Sequence, residues 1–192
     1  SAPVKFPFKN NFRVDKNTSP IQVSIENTEA CPRYSGVSIN NITVADSPRW
    51  LQQKLKSIGV RPINNIVDIT NYIVHETGQP LHAFDAHEIK GEKIIVKNLA
   101  GGTSFITLDE KERKLHAEDL MICNGVEEPM CFGGVFGGIK SGVKETTKNI
   151  FLESAWFQQK MIRRTSLRHN LRTDASSRFE KGVDISHTVI VL

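Results

Sequence analysis

The chain has 192 residues, 39% of them hydrophobic and 24% charged, with a formal net charge of +4. That length buries one substantial core, or two small ones sharing an interface, and the composition is ordinary for a globular protein. No apolar run approaches the roughly 20 residues of a membrane span, and no basic-then-apolar leader is present, so a cytoplasmic chain with no membrane partner is expected. Cys31, Cys123 and Cys131 are too few and too irregularly spaced for a disulfide framework and read as reduced thiols.

Residues 1–30 are polar and weakly patterned. They read as a linker or the edge of a neighbouring domain, with a short strand near Ile21 to Ile25. Residues 31–192 read as one module. The start without Met and the end at 187–192, inside a helix or strand with no terminator, give the chain the character of an excised fragment.

Tyr34 to Val44 alternates as a strand. Ser47-Pro48 reads as N-cap and first position of a helix carrying Trp50, Leu51, Leu55 and Ile58 and ending at Gly59. Ile63, Ile66, Val67, Thr70, Ile73 and Val74 recur at helical spacing up to Gly78. His82 follows in what reads as a Pro- and Gly-bounded turn. The middle is strand-rich: Glu92 to Leu99, Thr103 to Leu108, Lys111 to Leu115, Leu120 to Cys123 and Pro129 to Val135, separated by turn chemistry such as Asn124-Gly125. Another apolar strand runs from Asn149 to Phe157. A helix from about Gln158 to Arg168 precedes a short one capped at Thr173-Asp174 and stopping at Gly182. Strands followed by helices without strict alternation indicate an α+β fold.

Four segments stand out chemically. Gly133 to Gly142 holds five of the 13 glycines. It fits neither a P-loop nor a dinucleotide fingerprint, and reads as a loop where backbone lies close to a ligand or as a wide turn. Glu153 interrupts an apolar strand, where a carboxylate without a partner is expensive to bury; strand alternation alone would make it the solvent-side residue. Leu171 to Gly182 places small hydroxylated residues at a helix start between arginines, a pattern shared by ordinary capping and by anion contacts. From Lys160 to Lys181 seven basic residues face two acidic ones, leaving the rest of the chain at −1. Such a stripe is either the footprint of a polyanion or a solvated helix face. The histidines and cysteines match no zinc spacing, so no metal ligands are assigned. A serine hydrolase elbow is missing too.

Taken together, Cys31-Pro32-Arg33-Tyr34, Val67 to Tyr72, Gly78 to Asp85, Gly133 to Gly138, Leu152-Glu153, Thr173 to Ser176 and Arg178 to Gly182 resemble the editing module of the bacterial phenylalanyl-tRNA synthetase β subunit. The resemblance covers roughly residues 31–182, in order and at the family's spacing. It implies a three-layer β/β/α sandwich with mixed, mostly antiparallel sheets, and hydrolysis of tyrosine wrongly esterified to phenylalanine tRNA. Matched positions imply His82, Asn71 and Thr173 as catalytic, with Glu153, Gly137, Ala175 and Phe136 binding the amino acid. Arg61, Arg172 and Arg178 would contact tRNA. Partners implied are the 3′ aminoacyl end of that tRNA and a synthetase α subunit in an α2β2 assembly. ATP and Mg²⁺ belong to aminoacylation elsewhere in the whole enzyme, so no cofactor is expected here. The family varies at the positions of His75, Thr77 and Ser154. The competing reading is a non-catalytic RNA-docking scaffold; a free-standing deacylase is a third.

Overall fold

The computed structural model describes residues 13–16 and 18–192. Ten strands and five α-helices follow one another as β1 (Gln22–Ile25), β2 (Arg33–Ile39), α1 (Arg49–Ser57), α2 (Asn65–Thr77), β3 (His82–Asp85), β4 (Lys93–Asn98), β5 (Ser104–Ile106), β6 (Glu112–Lys114), β7 (Leu120–Asn124), β8 (Pro129–Phe132), β9 (Phe136–Gly137), β10 (Ile150–Trp156), α3 (Gln159–His169), α4 (Asp174–Lys181) and α5 (His187–Ile190).

The strands form a five-stranded sheet ordered β1-β4-β7-β8-β9, a three-stranded sheet ordered β2-β10-β3, and the β5–β6 hairpin. Only β1 and β4 pair in parallel; the other pairings are antiparallel. Phe84, Phe151 and Ala155 from the smaller sheet share one core with Ile94, Val96 and Ile122 from the larger. The smaller sheet's other face carries Ala83, Ile150 and Leu152 against Ile66 of α2 and Leu192. The result is an α+β fold in three layers, sheet on sheet on helix, as expected.

Local chemistry sets the helix ends. The Asn64 side chain accepts from the Val67 amide at the start of α2, and Gly78 closes it with φ +80°. Thr173 caps α4 in a reciprocal pair with Ser176.

Three expectations need correction. Ser47 does not cap α1; its hydroxyl donates instead to Asp68 Oδ2 at 2.5 Å, while the Pro48 carbonyl accepts from Leu51 and Gln52. His82 lies not in a turn but at the start of β3, because pairing with β10 draws the segment into extended backbone. The segment around Ile21 to Ala30 is not the edge of another domain: β1 extends the larger sheet, and Ile21 and Ala30 are buried in the shared core. Residues 1–12 and 17 lie outside the described residues.

Candidate active site

The site grows from one row of paired residues. Across the smaller sheet Gly36 of β2, Glu153 of β10 and His82 of β3 stand in register. Paired antiparallel residues project to the same face, here the one shared with Phe84, Phe151 and Ala155, toward the larger sheet. Strand β10 is central in its sheet and covered on both faces, so alternation does not send Glu153 to solvent: it is 5% exposed.

Tyr34 of β2 donates its phenolic hydrogen to Glu153 Oε2 at 2.6 Å. Among the described residues, no hydrogen bond reaches Oε1. Burial pushes the Glu153 carboxyl up to about 7, with the Tyr34 hydrogen bond pulling the other way. Tyr34 is held well above its usual value, first by burial and then by the adjacent carboxylate. Cys31 and Cys131 stand close enough that, after burial itself, the same carboxylate raises both thiols.

His82 packs edge-to-face on Phe84, ring centroids 4.3 Å apart. Burial alone brings its imidazole down to about 4, so the ring is neutral near pH 7. Its Nε2 is buried without a partner among the described residues. Gly137 lies against it: a Cβ there would come within 3.3 Å of His82 Cε1 and 2.9 Å of Leu108 Cδ1. A side chain at position 137 would therefore crowd Leu108 and His82. Its strand partner is Cys131, which places it on the Glu153 side. Strand alternation turns Phe136 to the opposite face, in register with Phe132, so the structure does not gather Phe136 with Glu153 and His82.

Thr173 and Ala175 approach from α4. The Thr173 hydroxyl donates to the Val135 carbonyl at 2.8 Å and accepts from the Ser176 amide at 3.0 Å. Its only hydrogen is therefore committed, and one lone pair is left for a ligand. That bond ties the start of α4 to the glycine-rich segment. Ala175 packs half-buried on the shared core. On α2, His75 Nε2 lies 3.8 Å from Asp174 Oδ2, and Asn71, one turn earlier, shares that helix face. The Asn71 side chain is half-buried and takes no hydrogen bond among the described residues. Arg61 is exposed on the connection between α1 and α2, Arg172 is exposed just ahead of α4, and Arg178 is exposed on α4.

The basic stripe divides in two. Arg168 binds Asp119 Oδ1 at 2.5 Å and Glu118 at 2.9 Å, and Arg164 lies 3.9 Å from Glu118. Lys160, Arg163, Arg172, Arg178 and Lys181 are exposed without an ion pair among the described residues. No cluster of three or more metal-ligating side chains occurs among the described residues.

Sequence reasoning missed Tyr34 and Leu108. Leu108 sits at the tip of the β5–β6 hairpin, 46% exposed, and its amide donates to the Gly137 carbonyl at 3.0 Å. A leucine beside Asp109-Glu110 in a turn was the available signal. Cavities of about 270, 500 and 230 Å³ lie elsewhere, lined by neither Glu153 nor His82. Leu108 covers the Gly137 side of the site.

The B3/4 domain family pattern matches residues 30–192. The phenylalanine–tRNA ligase β subunit of Bacteroides thetaiotaomicron is 56% identical over 191 residues, 100% of this chain and 23% of that protein. The same-named protein of Porphyromonas gingivalis is 56% identical over 178 residues, 93% of this chain and 22% of its own length. The chain thus spans about a quarter of the length of these curated relatives. Among solved structures, an N-terminal fragment of the phenylalanyl-tRNA synthetase β-subunit from Pyrococcus horikoshii shares the fold at TM-score 0.53 and 14% identity, over 78% of this chain and 47% of that one. With most of its length matched by that pattern, the chain belongs to the B3/4 domain family.

Proposed function

We propose that this domain is the post-transfer editing module of a phenylalanyl-tRNA synthetase β subunit, hydrolysing tyrosine esterified to phenylalanine tRNA. One observation carries the reading: Glu153 and His82 stand in register beside Gly137, each with a polar atom that no protein group occupies. Buried polar atoms are almost always partnered, so the buried His82 Nε2 points to a bound molecule or water, with Glu153 Oε1 beside it open to accept a hydrogen bond.

Tyrosine differs from phenylalanine by one hydroxyl. Glu153 Oε1 accepts that hydroxyl's hydrogen, and its apolar surroundings make the unfilled state costly for phenylalanine. Gly137 lets backbone close on the ring, and Ala175 leaves room beside it. The ester then lies near His82, where neutral Nε2 orients the attacking water. An imidazole brought down to about 4 is a weak base, so His82 acts chiefly by position. Asn71 and the free lone pair of Thr173 hold the terminal ribose or the water. Arg61, Arg172 and Arg178 receive tRNA phosphates. ATP, Mg²⁺ and the α subunit belong to aminoacylation in the whole α2β2 enzyme, outside this module. Leu108 must swing aside for the side chain to enter.

The test is deacylation of tyrosyl-tRNA specific for phenylalanine by the complete synthetase. Glu153→Ala and His82→Ala are each expected to slow it by at least about 100-fold, the scale of lost positioning and hydrogen bonding. The alternative, a non-catalytic docking domain, draws on the five unpaired surface cations. It requires both variants to deacylate at the unmodified rate.

A further inference from the structure

The Cys31-Pro32-Arg33-Tyr34 segment has no task in the scheme above, yet it delivers the one side chain hydrogen-bonded to Glu153 among the described residues. We propose that Tyr34 is the positioning residue of this site: its phenol holds one oxygen of Glu153 so that the other points at the incoming tyrosyl hydroxyl. The inference rests on the editing reading and adds the group that makes Glu153 selective.

The geometry is specific. Tyr34 pairs with Ala155 across β2 and β10, two residues along from the Gly36–Glu153 pair. It is therefore the diagonal neighbour of Glu153 on the same face, a distance an aromatic side chain spans. The 2.6 Å bond from Tyr34 Oη to Oε2 fixes the plane of the carboxyl group. A glutamate free to rotate would present no fixed acceptor. Gly36 allows this arrangement, since a Cβ there would meet the Phe151 ring at 2.2 Å. That ring closes the side of the row away from His82.

The groups facing the carboxylate are Tyr34 from β2, His82 from β3, Cys31 ahead of β2 and Cys131 from β8. His82 is neutral and both thiols are protonated near pH 7. No lysine or arginine pairs with Glu153 among the described residues. Tyr34 is thus the donor that steadies the charged form against burial. Charged acceptors bind a hydroxyl about twice as strongly as neutral ones. Removing the Tyr34 hydroxyl both frees the carboxyl plane and favours its protonated, weaker-accepting form.

The experiment measures the ratio of tyrosyl to phenylalanyl ester hydrolysis on phenylalanine tRNA, from pH 6 to 9, with the complete synthetase. In the unmodified enzyme the ratio falls on acidification as Glu153 protonates. Tyr34→Phe is expected to lower the ratio at pH 7 by about tenfold or more, the scale of one hydrogen bond to a charged group. It should also move the midpoint of the fall to higher pH, with recovery of selectivity at pH 9. An unaltered ratio and midpoint overturn the proposal, including the case where both rates drop together because the variant is poorly folded. Glu153→Ala separates the two levels. If it keeps the unmodified ratio, the editing reading itself fails. If it loses the ratio while Tyr34→Phe keeps ratio and midpoint, only the role of Tyr34 falls.

Discussion

Glu153 and His82 face each other across two strands, and burial shifts them in opposite directions. The Glu153 carboxyl is raised from 4.5 to about 7 in the fold, so it contributes stability below that unfolded value and loses it as pH rises through 7. The His82 imidazole is lowered to about 4, so its neutral burial stabilises above an unfolded value of about 6.5 and loses that as pH falls toward 4. Between about pH 4.5 and 6.5 the two slopes oppose each other. Glu153→Gln should therefore make thermal stability climb more steeply with pH than in the unmodified domain, and His82→Phe should make it decline. Melting curves at pH 5, 6 and 7 check both. Equal pH slopes in all three proteins would show that neither group is buried as described. Neither shift was legible in the sequence. Alternation marked Glu153 as a solvent-side residue, and only pairing with β2 and β3 from distant parts of the chain makes β10 a central strand. The bond from Tyr34 joins residues 119 positions apart.

Caps and turns were easier to read, because their chemistry is local. Gly78, Thr173 and Gly182 end or begin helices for reasons contained within a few residues. Thr173 does more than cap, since its hydroxyl also reaches the Val135 carbonyl. Thr173→Ala should cost about 1–2 kcal/mol of unfolding free energy, the usual range for a lost cap. Thr173→Ser should restore most of it in denaturant titrations. A second element-scale case is α3, whose Thr165, Arg168 and His169 converge on Asp119, which is fully buried. Burial alone would raise that carboxyl, but its bonds to the His116 amide, His169 and Thr165 hold it below the ordinary carboxylate range. Asp119→Ala leaves His169 and Thr165 without the carboxylate they bond, and Arg168 with Glu118 alone, and should destabilise the domain by about 3 kcal/mol, read from the same titrations. A loss under 1 kcal/mol would contradict the network. The β3 strand was not readable: four residues after a Pro-Leu step carry no strand period of their own, and β10 imposes the conformation.

For the molecule as a whole, charge is sorted by structure in a way that composition could not reveal. Arg164 and Arg168 lie against Glu118 and Asp119, whereas Lys160, Arg163, Arg172, Arg178 and Lys181 face outward. If those five meet tRNA phosphates, replacing Arg172 or Arg178 by Ala in the complete synthetase should flatten the salt dependence of tRNA affinity by about one unit of slope each. Arg168→Ala should leave the slope as it was. The order of layers followed from the resemblance carried by the motifs, whereas the place of β1 in the larger sheet did not, because residues 1–30 read as polar and weakly patterned and the short strand near Ile21 to Ile25 read as part of a neighbouring domain. On the editing reading, the isolated domain should hydrolyse the mischarged ester only weakly, since it would lose the effective concentration that tRNA docking outside it would provide.

The account turns on Glu153 reading a single hydroxyl, and a crystal structure of the domain with L-tyrosine tests that most directly. It should show the phenolic oxygen within hydrogen-bonding distance of Glu153 Oε1, the ring against Gly137, and Leu108 displaced. Tyrosine bound elsewhere, or Leu108 still seated on Gly137 at saturating tyrosine, would contradict it.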